Sequence, residues 1–164
     1  MGNDALDPGP TGINPEPVLR RDYLMRLIQE ATRALARAAT HRLEGDEAEA
    51  RKVLDGALVD LLDRHASLFA HTNPETAAKL LADPDRVLAA ARIVAARADL
   101  EPDPVDAGMG RARALALFLE ARDQGAPADA ELEALVERIP MAALDPRTQA
   151  LWARFKPQDP GAGS

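Results

Sequence analysis

The sequence predicts an all-α fold of antiparallel helical hairpins, about six to seven helices in all, and three observations carry that prediction. Hydrophobic residues make up 46% of the chain but aromatics only 3%, and much of the apolar fraction is alanine. Alanine has the best helix propensity and little bulk, which suits helices packed closely around a thin core. Sustained alternation of Val, Ile, Thr and aromatics, the mark of a strand, is absent. Asn73-Pro74, Asp83-Pro84 and Asp145-Pro146 each pair an N-cap residue with a proline in the first helical turn, where its missing N–H has no intrahelical partner to lose.

At 164 residues the chain has room for one domain. Residues 18–156 are expected to form it. The flanking stretches 1–17 and 157–164 are rich in Pro and Gly, which block helix and strand alike, and read as disordered tails.

The first helix, about Arg20 to Leu43, has the clearest pattern. Leu24, Leu27, Ile28, Ala31, Leu35 and Ala38 share one face, while Arg26, Glu30, Arg33 and Arg37 share the opposite one. Gly45 supplies a left-handed residue to end it, and Asp46 opens the second helix with Glu49 as its capping-box partner. So short a turn makes the two helices antiparallel neighbours. The second helix turns Val53, Leu54, Leu61, Leu68 and Phe69 inward and is expected to run to about His71. Pro74 opens a short third helix and Pro84 a fourth ending near Ala98. Leu100 to Gly110 holds Pro102, Pro104, Gly108 and Gly110 and reads as a loop. A fifth helix, with Ala112, Leu115, Ala116 and Leu119 inward, ends at Gly125. Leu132, Leu135, Val136 and Ile139 mark a sixth, and Asp145-Pro146 open a seventh that carries Leu151, Trp152 and Phe155.

Composition excludes much chemistry. There is no Cys, which removes disulfides, thiolate metal sites and cysteine nucleophiles together. Ser occurs only as Ser67 and Ser164, neither placed for a strand-turn-helix nucleophile, and no glycine-rich phosphate loop or dinucleotide fingerprint occurs. His41, His65 and His71 lack the spacing of a helical metal site. His65 is expected in the core on the apolar stripe of the second helix, and His41 and His71 at helix ends. Asp60 and Asp63 are one turn apart, but beside Arg64 they read as a solvated face rather than an acid/base pair. The expectation is therefore no catalytic residue, no cofactor and no metal. With no leader-like start and no run of about twenty apolar residues, the chain is expected to be cytoplasmic, with no membrane partner.

Charge is unevenly placed. The chain carries −7, with a pI near 5.0, which argues against a nucleic-acid partner for the surface as a whole. Residues 18–43 nevertheless hold six arginines against Asp22 and Glu30, a net of +4, leaving −11 for the remainder. Tyr23 and Trp152, the sole Tyr and Trp, are either packed or anchors at an interface.

The run Glu44, Gly45, Asp46, Glu47, Ala48, Glu49, Ala50, with Ala57 seven residues on and Ala38 before it, resembles the turn and second helix of a tetratricopeptide repeat. Leu62 stands where that repeat usually has proline, and His41 and Leu54 stand at its aromatic positions. The opening Asp22 to Ile28, followed by Gly45-Asp46, is also similar to an uncharacterised bacterial family of helical, repeat-like proteins; that resemblance implies a fold and no activity. In tetratricopeptide-like folds the first helix of each pair lines a groove. The resemblance thus implies a protein-interaction module, an adaptor or scaffold, with Arg26, Arg33, Arg37 and Tyr23 as partner-binding residues for an acidic peptide or another protein. The competing readings are a nucleic-acid-associated protein using the Arg-rich helix, and an enzyme whose site has no recognisable motif. Two hairpins are fewer than the three repeats a regular solenoid needs, so homo-oligomerisation is a further expectation.

Overall fold

The computed structural model describes residues 15–158, with side chains from Val18 onward. Helix α1 spans Pro15–Leu43, α2 Glu47–Leu62, α3 Pro74–Leu81, α4 Pro84–Ala98, α5 Pro104–Asp123 and α6 Pro146–Phe155. Single α-helical turns occur at Ala66–Phe69 and Ala130–Glu133, and 3-10 turns at Asp63–His65, Ala134–Arg138 and Met141–Ala143. No strand occurs among the described residues. α1 begins at Pro15 rather than near Arg20, because proline is tolerated in a first turn. The remainder of the two expected tails, 1–14 and 159–164, lies outside the described residues.

The α1–α2 connection forms as its residues dictate. Gly45 takes φ +82°, Asp46 N–H donates to the His41 carbonyl at 2.8 Å, and Gly45 N–H to that of Arg42 at 3.0 Å, so the last carbonyls of α1 are satisfied. The Asp46 carboxylate accepts from Glu49 N–H at 3.1 Å and starts α2. Only this half of the capping box can form, because the Asp46 N–H is already spent on α1. α5 ends in the same way, with Gly125 at φ +108° and Ala126 N–H on the Ala121 carbonyl at 2.9 Å.

The α4–α5 pair occupies the middle of the molecule. α1 and α2 pack on α4, while α3 and α6 pack on α5. Alanines let these helices approach: Ala31, Ala38, Ala50, Ala77, Ala90, Ala91 and Ala114 are all buried between them. Leu54, Leu61, Ile93, Leu115 and Phe118 fill the space that remains.

Four expectations are corrected. The second helix does not reach His71; it stops at Leu62, where Asp63 takes φ +53° and the chain turns through Asp63–His65. Leu68, expected inward, is consequently exposed, while Phe69 is buried. Leu100 to Gly110 is not a loop, because Asp103 caps the Val105 N–H at 3.0 Å and α5 starts at Pro104. Both glycines lie inside α5, and Gly110 is where the helices meet: a Cβ built there would sit 2.8 Å from the Ala98 Cβ. Third, α5 does not turn one face inward, since Ala114 through Ala121 are buried all the way round. A helix apolar on every side belongs in the centre. Fourth, the sixth expected helix is one α-turn followed by a 3-10 turn, although Leu132, Leu135 and Ile139 are buried as expected.

Candidate functional site

Arginine pairing divides the molecule in two. From Arg42 onward every arginine except Arg64 pairs with a carboxylate or donates to a carbonyl. Arg42, Arg111 and Arg138 converge on Asp99, at 3.9, 3.4 and 3.4 Å, and tie the end of α1 to α5 and the 134–138 turn. Arg113 donates to the carbonyls of Phe69 and Thr72, at 2.6 and 3.0 Å, and covers the Phe69 ring; burial pushes its guanidinium pKa down. Arg147 forks onto the buried Glu120 at 2.6 and 2.9 Å and clamps α6 to α5; its hydrogen bond to Glu120 holds its pKa above the usual arginine value. These arginines are spent on the fold.

Those of α1 before Arg42 are not. Arg20, Arg21, Arg26, Arg33 and Arg37 are exposed and meet no acidic side chain or carbonyl among the described residues. Arg33 and Arg37 line a groove between α1 and α2, joined by Lys52 from α2. Its floor is small: Ala31 and Ala34 are 2% exposed, and nothing lies within 4 Å of a Cβ placed on Gly56. Three carboxylates, Glu30, Glu49 and Asp60, line the groove beside the three cations Arg33, Arg37 and Lys52. Lys52 is the member of this group that the sequence pattern left out, because it sits on α2. Its place four residues before Gly56 on the exposed side of that helix is the signal that marks it.

Tyr23 lies elsewhere. Its hydroxyl donates to Asp63 Oδ2 at 3.3 Å, and it lines a second cleft, between α1, the Asp63–His65 turn and the α3–α4 corner. His65, expected in the core of the second helix, is instead half-buried in the wall of this cleft, since the helix has already ended. Asp60 and Asp63 are likewise separated, one in each depression. His41 faces Glu44 at 3.9 Å at the end of α1, and His71 is exposed just beyond the Ala66–Phe69 turn. Trp152 is half-buried against the core on α6.

Among the described residues no three His, Asp or Glu side chains are grouped so as to hold a metal, and no helix is long and apolar enough to cross a membrane. No protein-family model matches the sequence, and no curated protein and no solved structure matches it.

Proposed function

We propose that the chain is a cytoplasmic helical interaction module whose first hairpin, tetratricopeptide-like in its turn and its small-residue positions, binds an acidic segment of a partner protein. The supporting observation is the segregation of guanidiniums: from Arg42 onward the fold uses its arginines internally, Arg64 excepted, and it leaves those of α1 before Arg42 exposed. Arginines with no partner among the described residues, beside a shallow groove with an alanine and glycine floor, can fork onto carboxylates while a partner's backbone lies close. Glu30, Glu49 and Asp60 along the groove disfavour a continuous phosphate backbone and favour a partner with spaced carboxylates that meet Arg33, Arg37 and Lys52 singly.

A fluorescently labelled glutamate-rich peptide tests this reading. Each exposed contact contributes roughly 0.5–1 kcal/mol, so replacing Arg26, Arg33 and Arg37 together by Ala should weaken binding by roughly ten- to a hundredfold. The far-UV circular dichroism should not change, because none of the three pairs with another side chain or carbonyl among the described residues. Undiminished binding by the triple variant, or binding of duplex DNA in preference to the peptide, refutes the reading.

A further inference from the structure

The second cleft holds features that the groove reading does not use. Arg86 lines it and is 9% exposed, yet no carboxylate among the described residues lies within salt-bridge distance of it. Its Nε donates to the Leu61 carbonyl at 2.9 Å, closing the end of α2. Its Nη nitrogens have no protein acceptor among the described residues and are not among the atoms sealed from solvent, so they open into the cleft. Arg20 and Arg64, both exposed and without a partner among the described residues, stand on the same rim.

The nearby acids offset this group only in part. The Asp83 carboxylate is occupied by the N–H groups of Asp85 and Arg86, at 2.9 and 3.1 Å, as the cap of α4. Asp63 accepts from Tyr23 at the cleft mouth. Three arginines thus face two aspartates in the cleft lining. Burial outweighs the attraction of Asp63, Tyr23 and Asp83 and lowers the Arg86 pKa, as expected of a desolvated cation.

The backbone points to the same place. Asp63 at φ +53° and Ala82 at φ +65° are the non-glycine residues with positive φ among those described, and both line this cleft. Such conformations persist where neighbours over-determine them, and they concentrate at binding sites.

We propose that this cleft is an oxyanion site, in which a phosphate or carboxylate group sits against the Arg86 Nη atoms with Arg20, Arg64 and the Tyr23 hydroxyl closing around it. The buried fork fixes the anion's orientation, and the two rim arginines supply charge without prior pairing to break.

Tyr23 is the sole tyrosine, so ring-labelled tyrosine gives one reporter signal for the full chain in solution. The experiment titrates inorganic phosphate, acetate and chloride at constant ionic strength and follows that ring, the amides of Asp63 and Ala82, and the Arg86 Nε–H by NMR. Saturable shifts at these positions are expected with phosphate or acetate. Tighter phosphate binding identifies a phosphate-bearing ligand, and tighter acetate binding a carboxylate. Arg20→Ala and Arg64→Ala, which leave every internal contact in place, should each weaken binding by about tenfold. Arg86→Lys keeps the charge but loses the fork and should weaken it further. Arg33→Ala with Arg37→Ala should leave this titration unchanged, which separates it from the α1–α2 groove. Absence of saturation, identical shifts from chloride, or shifts indifferent to Arg20→Ala and Arg64→Ala overturn the proposal.

Discussion

One substitution made at two sites in the same helix should have opposite effects. Gly108 and Gly110 both lie inside α5, where alanine in place of glycine ordinarily stabilises by about 0.5–1 kcal/mol through helix propensity. At Gly108 no heavy atom lies within 4 Å of the new Cβ, so Gly108→Ala should gain that amount in full. At Gly110 the new Cβ would meet the Ala98 Cβ at 2.8 Å, well inside the roughly 3.5–4.0 Å of an ordinary carbon contact. A methyl group has no rotamer by which to escape, and Ala98 is 3% exposed, so the last turn of α4 must move away from α5. Overpacking of this kind costs about 1–3 kcal/mol. After the propensity gain, Gly110→Ala should be destabilising by about 0.5–2 kcal/mol. Urea unfolding followed by far-UV circular dichroism reads both variants, and the melting temperatures should move apart by about 2–4 °C per kcal/mol of difference. Adding Ala98→Gly to Gly110→Ala removes the collision, so the double variant should be more stable than the two single effects predict, with a coupling of roughly 0.5–3 kcal/mol. Equal stabilisation by Gly108→Ala and Gly110→Ala would refute the close approach of α4 and α5.

Arg147→Ala should destabilise by about 2–3 kcal/mol in urea unfolding, because it strands the buried Glu120 carboxylate, whereas Arg154→Ala should cost less than about 1 kcal/mol, since its partner Asp123 is in reach of solvent. Asp103→Ala should lower stability by about 1 kcal/mol through loss of the α5 cap, measurable by thermal unfolding; a silent variant would mean that α5 does not begin at Pro104. Ala82→Gly should raise the unfolding midpoint by the equivalent of about 0.5–1 kcal/mol, because it relieves a left-handed alanine at the end of α3 and removes little from the core.

Where the sequence was readable, the signal was local. Asn73-Pro74, Asp83-Pro84 and Asp145-Pro146 start helices as their cap chemistry requires, and Gly45-Asp46 forms a tight turn between α1 and α2. Asp103-Pro104 carries the same start signal, but Gly108 and Gly110 shortly after it read as breakers. Their reason for being glycine is the neighbouring helix, which no local pattern contains. The end of α2 is hidden for a similar cause: Leu61, Leu68 and Phe69 keep helical spacing, while the break at Asp63 is held by Tyr23 and Arg86, each more than twenty residues away. Of the candidate site, the basic flank of α1 was visible as a stripe; the partition of Tyr23 into a different cleft was not.

The chain by itself determined its helical class, the first hairpin with its turn, most helix starts and the concentration of positive charge near the beginning, because propensity, capping and charge density depend on residues a few positions apart. Tertiary packing decided that Ala114 to Ala121 of α5 are enclosed on all sides, that Gly110 must lack a side chain, and which arginines are tied to distant acceptors while others have none among the described residues. Those outcomes depend on which surfaces meet, and two faces far apart in the chain carry no mark of each other until the helices between them are docked.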